Sequence, residues 1–282
     1  MKKKGIFISV ALIGCVLTLM AATYAVGASC TEVAQKIEAA FFAATPFPYA
    51  SQEIEGLTVD QAYEIQAEIT KLRAAKGDMV MGYKNGLSSK KVQIKFGVDG
   101  PIVAPLYKST FRWPGVLYMK NYVRMFVEPE IGYRLKREIT TPIEDIESLK
   151  KAVDIVFPAI EVPDIGFTDL KQATGTDIIA INSAEKKILV GKAVGVRAYD
   201  LDAVTVKLFH NGQEITSGVG SNAPGGQWEA LKWTVNAALA KGGKVKAGDA
   251  FITGILVKLM AGKPGTYRAD YGDFGSIEFE VK

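Results

Sequence analysis

Glu128 and Glu130 stand two apart in Val127-Glu128-Pro129-Glu130-Ile131-Gly132-Tyr133, and Glu161 sits in Phe157-Pro158-Ala159-Ile160-Glu161-Val162. A strand turns its side chains over with period two, so Glu128 and Glu130 leave the same face and converge. Two adjacent carboxylates repel unless one keeps a proton or a cation lies between them. Glu-x-Glu is also an ordinary solvated strand face, and those two residues alone leave both readings open. Glu161 adds weight to the cation, because 155–162 is otherwise an apolar strand in which a lone carboxylate is costly. An oxygen-only donor set selects a hard dication, Mg²⁺ or Mn²⁺, over zinc.

Lys84 lies in Gly82-Tyr83-Lys84-Asn85-Gly86-Leu87, directly after Met79-Val80-Met81. Taken alone it is either an exposed turn residue or, with glycines allowing close approach of a ligand, an acid-base group whose pKa a nearby dication lowers. His210 is the sole histidine. It abuts Asn211-Gly212, a pair typical of a two-residue hairpin turn, and is expected to face solvent there rather than serve as a base or ligand.

The elements that must position these groups are mixed, without repeats or low-complexity linkers. Ser29-Cys30-Thr31-Glu32 has capping-box spacing and predicts a helix to about residue 43. Thr58 opens a second helix with Ala62, Ile65, Ile69 and Leu72 on one face and Gly77 as its stop. Strands dominate from residue 79, interrupted by helices near 143–154 and 227–241, and 203–217 reads as a hairpin.

From about Leu57 onward the ordered set Gly-Tyr-Lys-x-Gly-Leu, Gly97-Val98-Asp99, Glu-x-Glu, Pro-Ala-Ile-Glu-Val, Asn182-Ser183, Ser217-Gly218-Val219-Gly220, Gly248-Asp249 and Thr253-Gly254 resembles the fumarylacetoacetate hydrolase superfamily. Within it, the chain is most similar to the 2-keto-4-pentenoate hydratase and 4-oxalocrotonate decarboxylase branch. That resemblance implies an α+β chain, a mixed β-roll or sandwich over 79–282 with a small helical N-terminal layer over 29–78. It implies a homo-oligomeric, metal-dependent lyase of short 2-keto acids, with Glu128, Glu130 and Glu161 on the metal and Lys84 moving the proton between enol and ketone. Asn85, Gln93, Asn182 and Thr253 fall at pocket positions in the same mapping. Hydration and decarboxylation pass through the same enolate and stay close alternatives, with hydration preferred by a small margin on overall motif match.

Departures from the family pattern bear on activity. An aspartate three residues after that of Gly-Val-Asp is replaced by Ile102, and Asp-Asn-Ala-Ser becomes Ile181-Asn182-Ser183-Ala184. The proton relay is thereby shortened, which keeps open a second class of function: an exported, non-catalytic keto-acid binding protein. The His-Glu pair of the family's carbon–carbon hydrolases is absent, with His210 at a turn.

The N-terminus carries Lys2, Lys3 and Lys4, an apolar stretch over 6–20 and the small residues Val26-Gly27-Ala28, which predict an export signal over 1–28 and a periplasmic product starting at Ser29. Competing readings are a lipoprotein processed at Cys15 or Cys30 and an uncleaved anchor over 6–26, so membrane contact is expected only through this segment. Cleavage leaves 254 residues and a net charge of +1, because the signal contains three lysines and no acid, so the basic balance gives no reason to expect nucleic acid. Only Cys30 of the two cysteines remains, which removes an intramolecular disulfide and a zinc cluster.

Overall fold

The computed structural model describes residues 27–282. The expected export segment therefore lies outside the described residues, apart from Gly27 and Ala28. Both N-terminal helices start as their caps predict. Ser29 and Glu32 exchange hydrogen bonds at the head of Cys30–Ala43, and Thr58 and Gln61 do so at the head of Val59–Ala75. Ala62, Ile65 and Ile69 are wholly buried, while Leu72 packs at the edge of the same cluster. These helices do not close a core by themselves: Phe167 and the helix Gly175–Ala180, through Ile178 and Ile179, complete it. Asp177 caps that short helix and also accepts from the Ser51 N–H and hydroxyl, tying the N-terminal layer to it.

A large mixed sheet runs in the order Ile102–Tyr107, Val80–Gly86, Ala250–Ile252, Phe126–Leu135, Val153–Val162, Lys187–Val190 and Phe111–Arg112. A second, five-stranded sheet runs Gln213–Val219, Thr205–His210, Gly265–Asp270, Ser276–Val281 and Val116–Leu117. Between them lies the main core, where Val127, Ile131, Tyr133 and Ile160 of the first sheet cluster with Val206, Leu208, Tyr267, Ile277 and Phe279 of the second. Burying one such side chain contributes about 1.5–3 kcal/mol, so these two faces hold the roll together. The helix Gln227–Ala240 adds Leu231 and Val235.

Two expectations change. The helix foreseen over 143–154 spans only Ile146–Ala152, capped by Asp145, because Val153-Asp154-Ile155-Val156 begins a strand with β-branched residues. The hairpin forms with Asn211 and Gly212 at φ 51° and 80°. His210, however, is half-buried rather than solvent-facing: its Nε2 lies 3.0 Å from the Pro264 carbonyl and its ring 4.6 Å from that of Tyr267. It belongs to the five-stranded sheet, away from the strands that carry the glutamates. No helix among the described residues is long and apolar enough to cross a membrane.

Candidate active site

The pairing of Phe126–Leu135 with Val153–Val162 sets Glu128 directly across from Glu161, and Glu130 across from Ala159. Opposed residues share a sheet face, so the three carboxylates converge, with one oxygen of each within 4.8 Å of the others. The apolar cluster of Leu106, Phe157, Ala159, Ile188 and Ile252 shares that face. The opposite face of the same strand, with Val127, Ile131 and Tyr133, enters the main core.

These surroundings act on the carboxyls in one direction. Burial, then the Glu161 charge, pushes Glu128 up to about 8. Burial and the two neighbouring carboxylates hold Glu130 well above its usual range, and burial raises Glu161 although Lys84 opposes the shift. Lys84 lies on Val80–Gly86, separated from the Glu128 strand by Ala250–Ile252 and paired with Ile252, and its Nζ donates to Glu161 and, at 3.1 Å, to the Ser183 carbonyl. Burial by itself would lower Lys84, but Glu161, Glu128 and Glu130 together raise it. The lowered lysine expected from sequence is thus not what the metal-free arrangement produces, because three carboxylates face one ammonium. The same imbalance is the test for a metal: the donor set lacks two positive charges, all donors are oxygen, and a hard dication fits.

Gly254 closes one rim. Its N–H donates to Glu130 at 2.8 Å, and its φ of 101° is open to glycine but strained for other residues. A Cβ there would come within 2.9 Å of Asn85 Oδ1 and 3.0 Å of Ser88 Oγ. Asn85 is buried and its Oδ1 has no hydrogen-bond partner; pairing with Val103 one residue after Lys84, it leaves from the strand face opposite that of Lys84.

Three other predicted pocket residues are turned to structural tasks. Gln93 donates to the Leu87 and Ser88 carbonyls and braces the loop after Lys84. Asn182 donates to the Pro105 carbonyl and to Glu185. Thr253 follows Ile252, which pairs with Gly132, so its side chain falls on the core face; its hydroxyl donates to Gln227, which also accepts from Tyr133. Ile102 pairs with Gly86 on the Lys84 face and is buried, so no carboxylate stands there. Sequence reasoning quoted Ser183 only as part of a segment and missed that its backbone carbonyl holds Lys84; nothing local in the sequence signals it.

No family model matches the chain. It is 31% identical over 213 residues to the 2-hydroxyhexa-2,4-dienoate hydratase of Comamonas testosteroni, covering 74% of this chain and 80% of that protein. The chain belongs to the 2-keto-4-pentenoate hydratase and 4-oxalocrotonate decarboxylase branch of the fumarylacetoacetate hydrolase superfamily. A second relative in this branch, the 2-keto-4-pentenoate hydratase of Paraburkholderia xenovorans, is 28% identical over 254 residues, 89% of this chain and 94% of that protein. The fold matches that of the branch's 4-oxalocrotonate decarboxylase from Pseudomonas putida G7, solved with magnesium and adipate, at a TM-score of 0.85 and 23% identity over 90% of this chain and 97% of that one.

Proposed function

We propose that the protein is a divalent-metal-dependent lyase of short 2-keto acids, most similar in activity to a 2-keto-4-pentenoate hydratase. The observation that carries this is the convergence of Glu128, Glu130 and Glu161 within 4.8 Å beside a buried lysine. Those three residues would hold Mg²⁺ or Mn²⁺, which when bound supplies a Lewis acid for the carboxylate and 2-oxo oxygens of the substrate. A dication would also cancel most of the field that raises Lys84, bringing its Nζ closer to the range useful for proton transfer. Glu161 and the Ser183 carbonyl orient that Nζ, so Lys84 is the group that gives and takes the proton interconverting enol and ketone. The apolar cluster on the same face surrounds the carboxylates with hydrocarbon and lowers the local dielectric.

The buried Ile102 and Ile181 favour a second reading, a protein that binds keto acids without turning them over, because no acid other than the metal carboxylates accompanies Lys84. Purified protein with Mg²⁺ and 2-hydroxypenta-2,4-dienoate separates the cases: loss of dienol absorbance indicates hydration. Release of carbon dioxide from 4-oxalocrotonate indicates the decarboxylase. Mg²⁺-dependent oxalate binding without turnover of either would leave only the binding protein.

The N-terminal lysines, apolar stretch and Val26-Gly27-Ala28 support export to the periplasm with cleavage before Ser29. N-terminal sequencing of recovered protein should begin at Ser29; an intact Met1 in membranes would favour the anchor, and a lipid on Cys15 or Cys30 the lipoprotein. Family membership supports a homo-oligomer, which light scattering of the purified protein would test.

A further inference from the structure

Arg73 is a buried charge that the proposed chemistry leaves unused. It lies near the end of the helix Val59–Ala75, is 3% exposed, and its guanidinium is held between the rings of Phe41 and Tyr107, 4.3 and 4.4 Å from their centroids. Its Nε donates to Glu38 and its Nη1 to Glu185, each at 2.9 Å. The Thr110 hydroxyl donates to the other oxygen of Glu185, and the Asn182 amide reaches Glu185 at 3.4 Å. Glu185 is thus fixed from a helix, from the loop after Ile102–Tyr107 and from the turn that precedes it.

That turn is strained. Asn182, Ser183 and Ala184 have φ of 56°, 53° and 59°, three consecutive left-handed residues, of which only asparagine adopts the conformation readily. It presents the Ser183 carbonyl to Lys84 Nζ and presses so closely on the lysine's strand that a Cβ on Gly86 would come within 2.2 Å of Ser183 Oγ. Without an external hold, the backbone gains by leaving this conformation.

We infer that Arg73 is a positioning residue: by clamping Glu185 it holds the left-handed turn in place and so fixes the carbonyl that orients the Lys84 ammonium. This rests on the reading of Lys84 as the proton-carrying group. The N-terminal helical layer then acts on the site through the Arg73 guanidinium rather than by contact with the three carboxylates.

Arg73→Met, assayed with Mg²⁺ and 2-hydroxypenta-2,4-dienoate, should lose about 10- to 100-fold in kcat, the effect of misplacing a reacting group by roughly an ångström. KM and calorimetric Mg²⁺ affinity should stay within about twofold of wild type, since neither contact is removed. The Ala184 and Glu185 amides, which donate to the Ile181 and Asn182 carbonyls, should exchange with solvent about tenfold faster. Adding Ala184→Gly to Arg73→Met should recover part of the lost kcat, because glycine holds the turn without strain. Should Arg73→Met fail to fold, Thr110→Val, which takes one hydrogen bond from Glu185, should show the same pattern at smaller size. Wild-type kcat in folded Arg73→Met, or parallel losses of turnover and Mg²⁺ affinity, would overturn the inference. If wild type turns over no keto acid, or Lys84→Met is fully active, the functional reading fails separately. The exchange of the 184 and 185 amides then decides alone, unchanged rates in Arg73→Met sinking the clamp.

Discussion

Two buried charge clusters lie near each other and are built from the same kinds of residue, yet they differ in how completely their charges are answered. Around Lys84, three carboxylates meet one ammonium, and every carboxyl is raised. Around Arg73, two carboxylates share a guanidinium stacked on two aromatic rings, with Thr110 and Asn182 filling remaining positions on Glu185. Burial raises Glu38, whose Oε2 has no partner, so this carboxyl moves toward its neutral form and the cluster toward balance. A cluster whose cation is paired from two sides and stacked on two rings fixes positions. One with an excess of like charge holds a place for a ligand.

Lys84→Met attacks the cluster with excess negative charge most directly. It keeps much of the stem volume and removes the transferable proton, so turnover should fall by about 10²- to 10⁴-fold while Mg²⁺ binding persists. Steady-state kinetics beside calorimetry checks it; an unchanged rate would remove Lys84 from the mechanism.

Metal and pH probe the same excess charge. Burial and the Glu161 charge push Glu128 up to about 8, against 4.5 for an ordinary glutamate, and Glu130 and Glu161 are also raised. Between those values the folded chain binds more protons than the unfolded one, so their stability contribution, full below about 4.5, is lost as pH rises toward 8. Lys84, raised as well, stays charged across this window and adds no slope. Thermal melts without metal should therefore show stability falling from pH 5 to 8. Mg²⁺, which binds the ionised carboxylates of the native state alone, should offset the fall, adding about 2.7 kcal/mol at a hundredfold excess over its dissociation constant. Glu128→Gln should flatten the metal-free slope and abolish the Mg²⁺ effect. A metal-free slope of the opposite sign would contradict the picture of crowded, desolvated carboxylates.

The Arg73 cluster should respond through stability. Glu185→Gln keeps the size of the side chain but removes a charged partner from Arg73, at a cost of about 1.5–3 kcal/mol for a charged hydrogen bond. Denaturant melts would measure it, and a neutral result would mean that Arg73 is compensated by Glu38 and its aromatic neighbours alone.

Residues whose roles follow from local spacing were legible in sequence: the period-two glutamates, the capping boxes at Ser29 and Thr58, and the Asn211-Gly212 turn all form as expected. The Arg73 cluster was not, because its partners are 35 and 112 residues away and a basic residue in a helix's last turn reads as solvated. The left-handed turn was equally hidden, since neither Ser183 nor Ala184 advertises positive φ. His210 packs on Tyr267 through a strand pairing that no local pattern encodes.

Thr253 and Gly254 repeat the comparison within one dipeptide. Gly254 turns its N–H to Glu130, whereas Thr253, one residue earlier, turns its hydroxyl through the sheet to Gln227, which is held in turn by Tyr133, the Gly220 carbonyl and Asp202. A one-residue step along a strand changes the face, so the motif's threonine supports the core while its glycine serves the carboxylates. Thr253→Val keeps the shape and removes one buried hydrogen bond, and should lower stability by about 0.5–1.5 kcal/mol. KM for a keto acid and Mg²⁺ affinity should both remain at wild-type values, because the lost hydroxyl faces away from the site. A raised KM with an unchanged melting temperature would instead return Thr253 to the pocket and overturn the face assignment that the strand register makes.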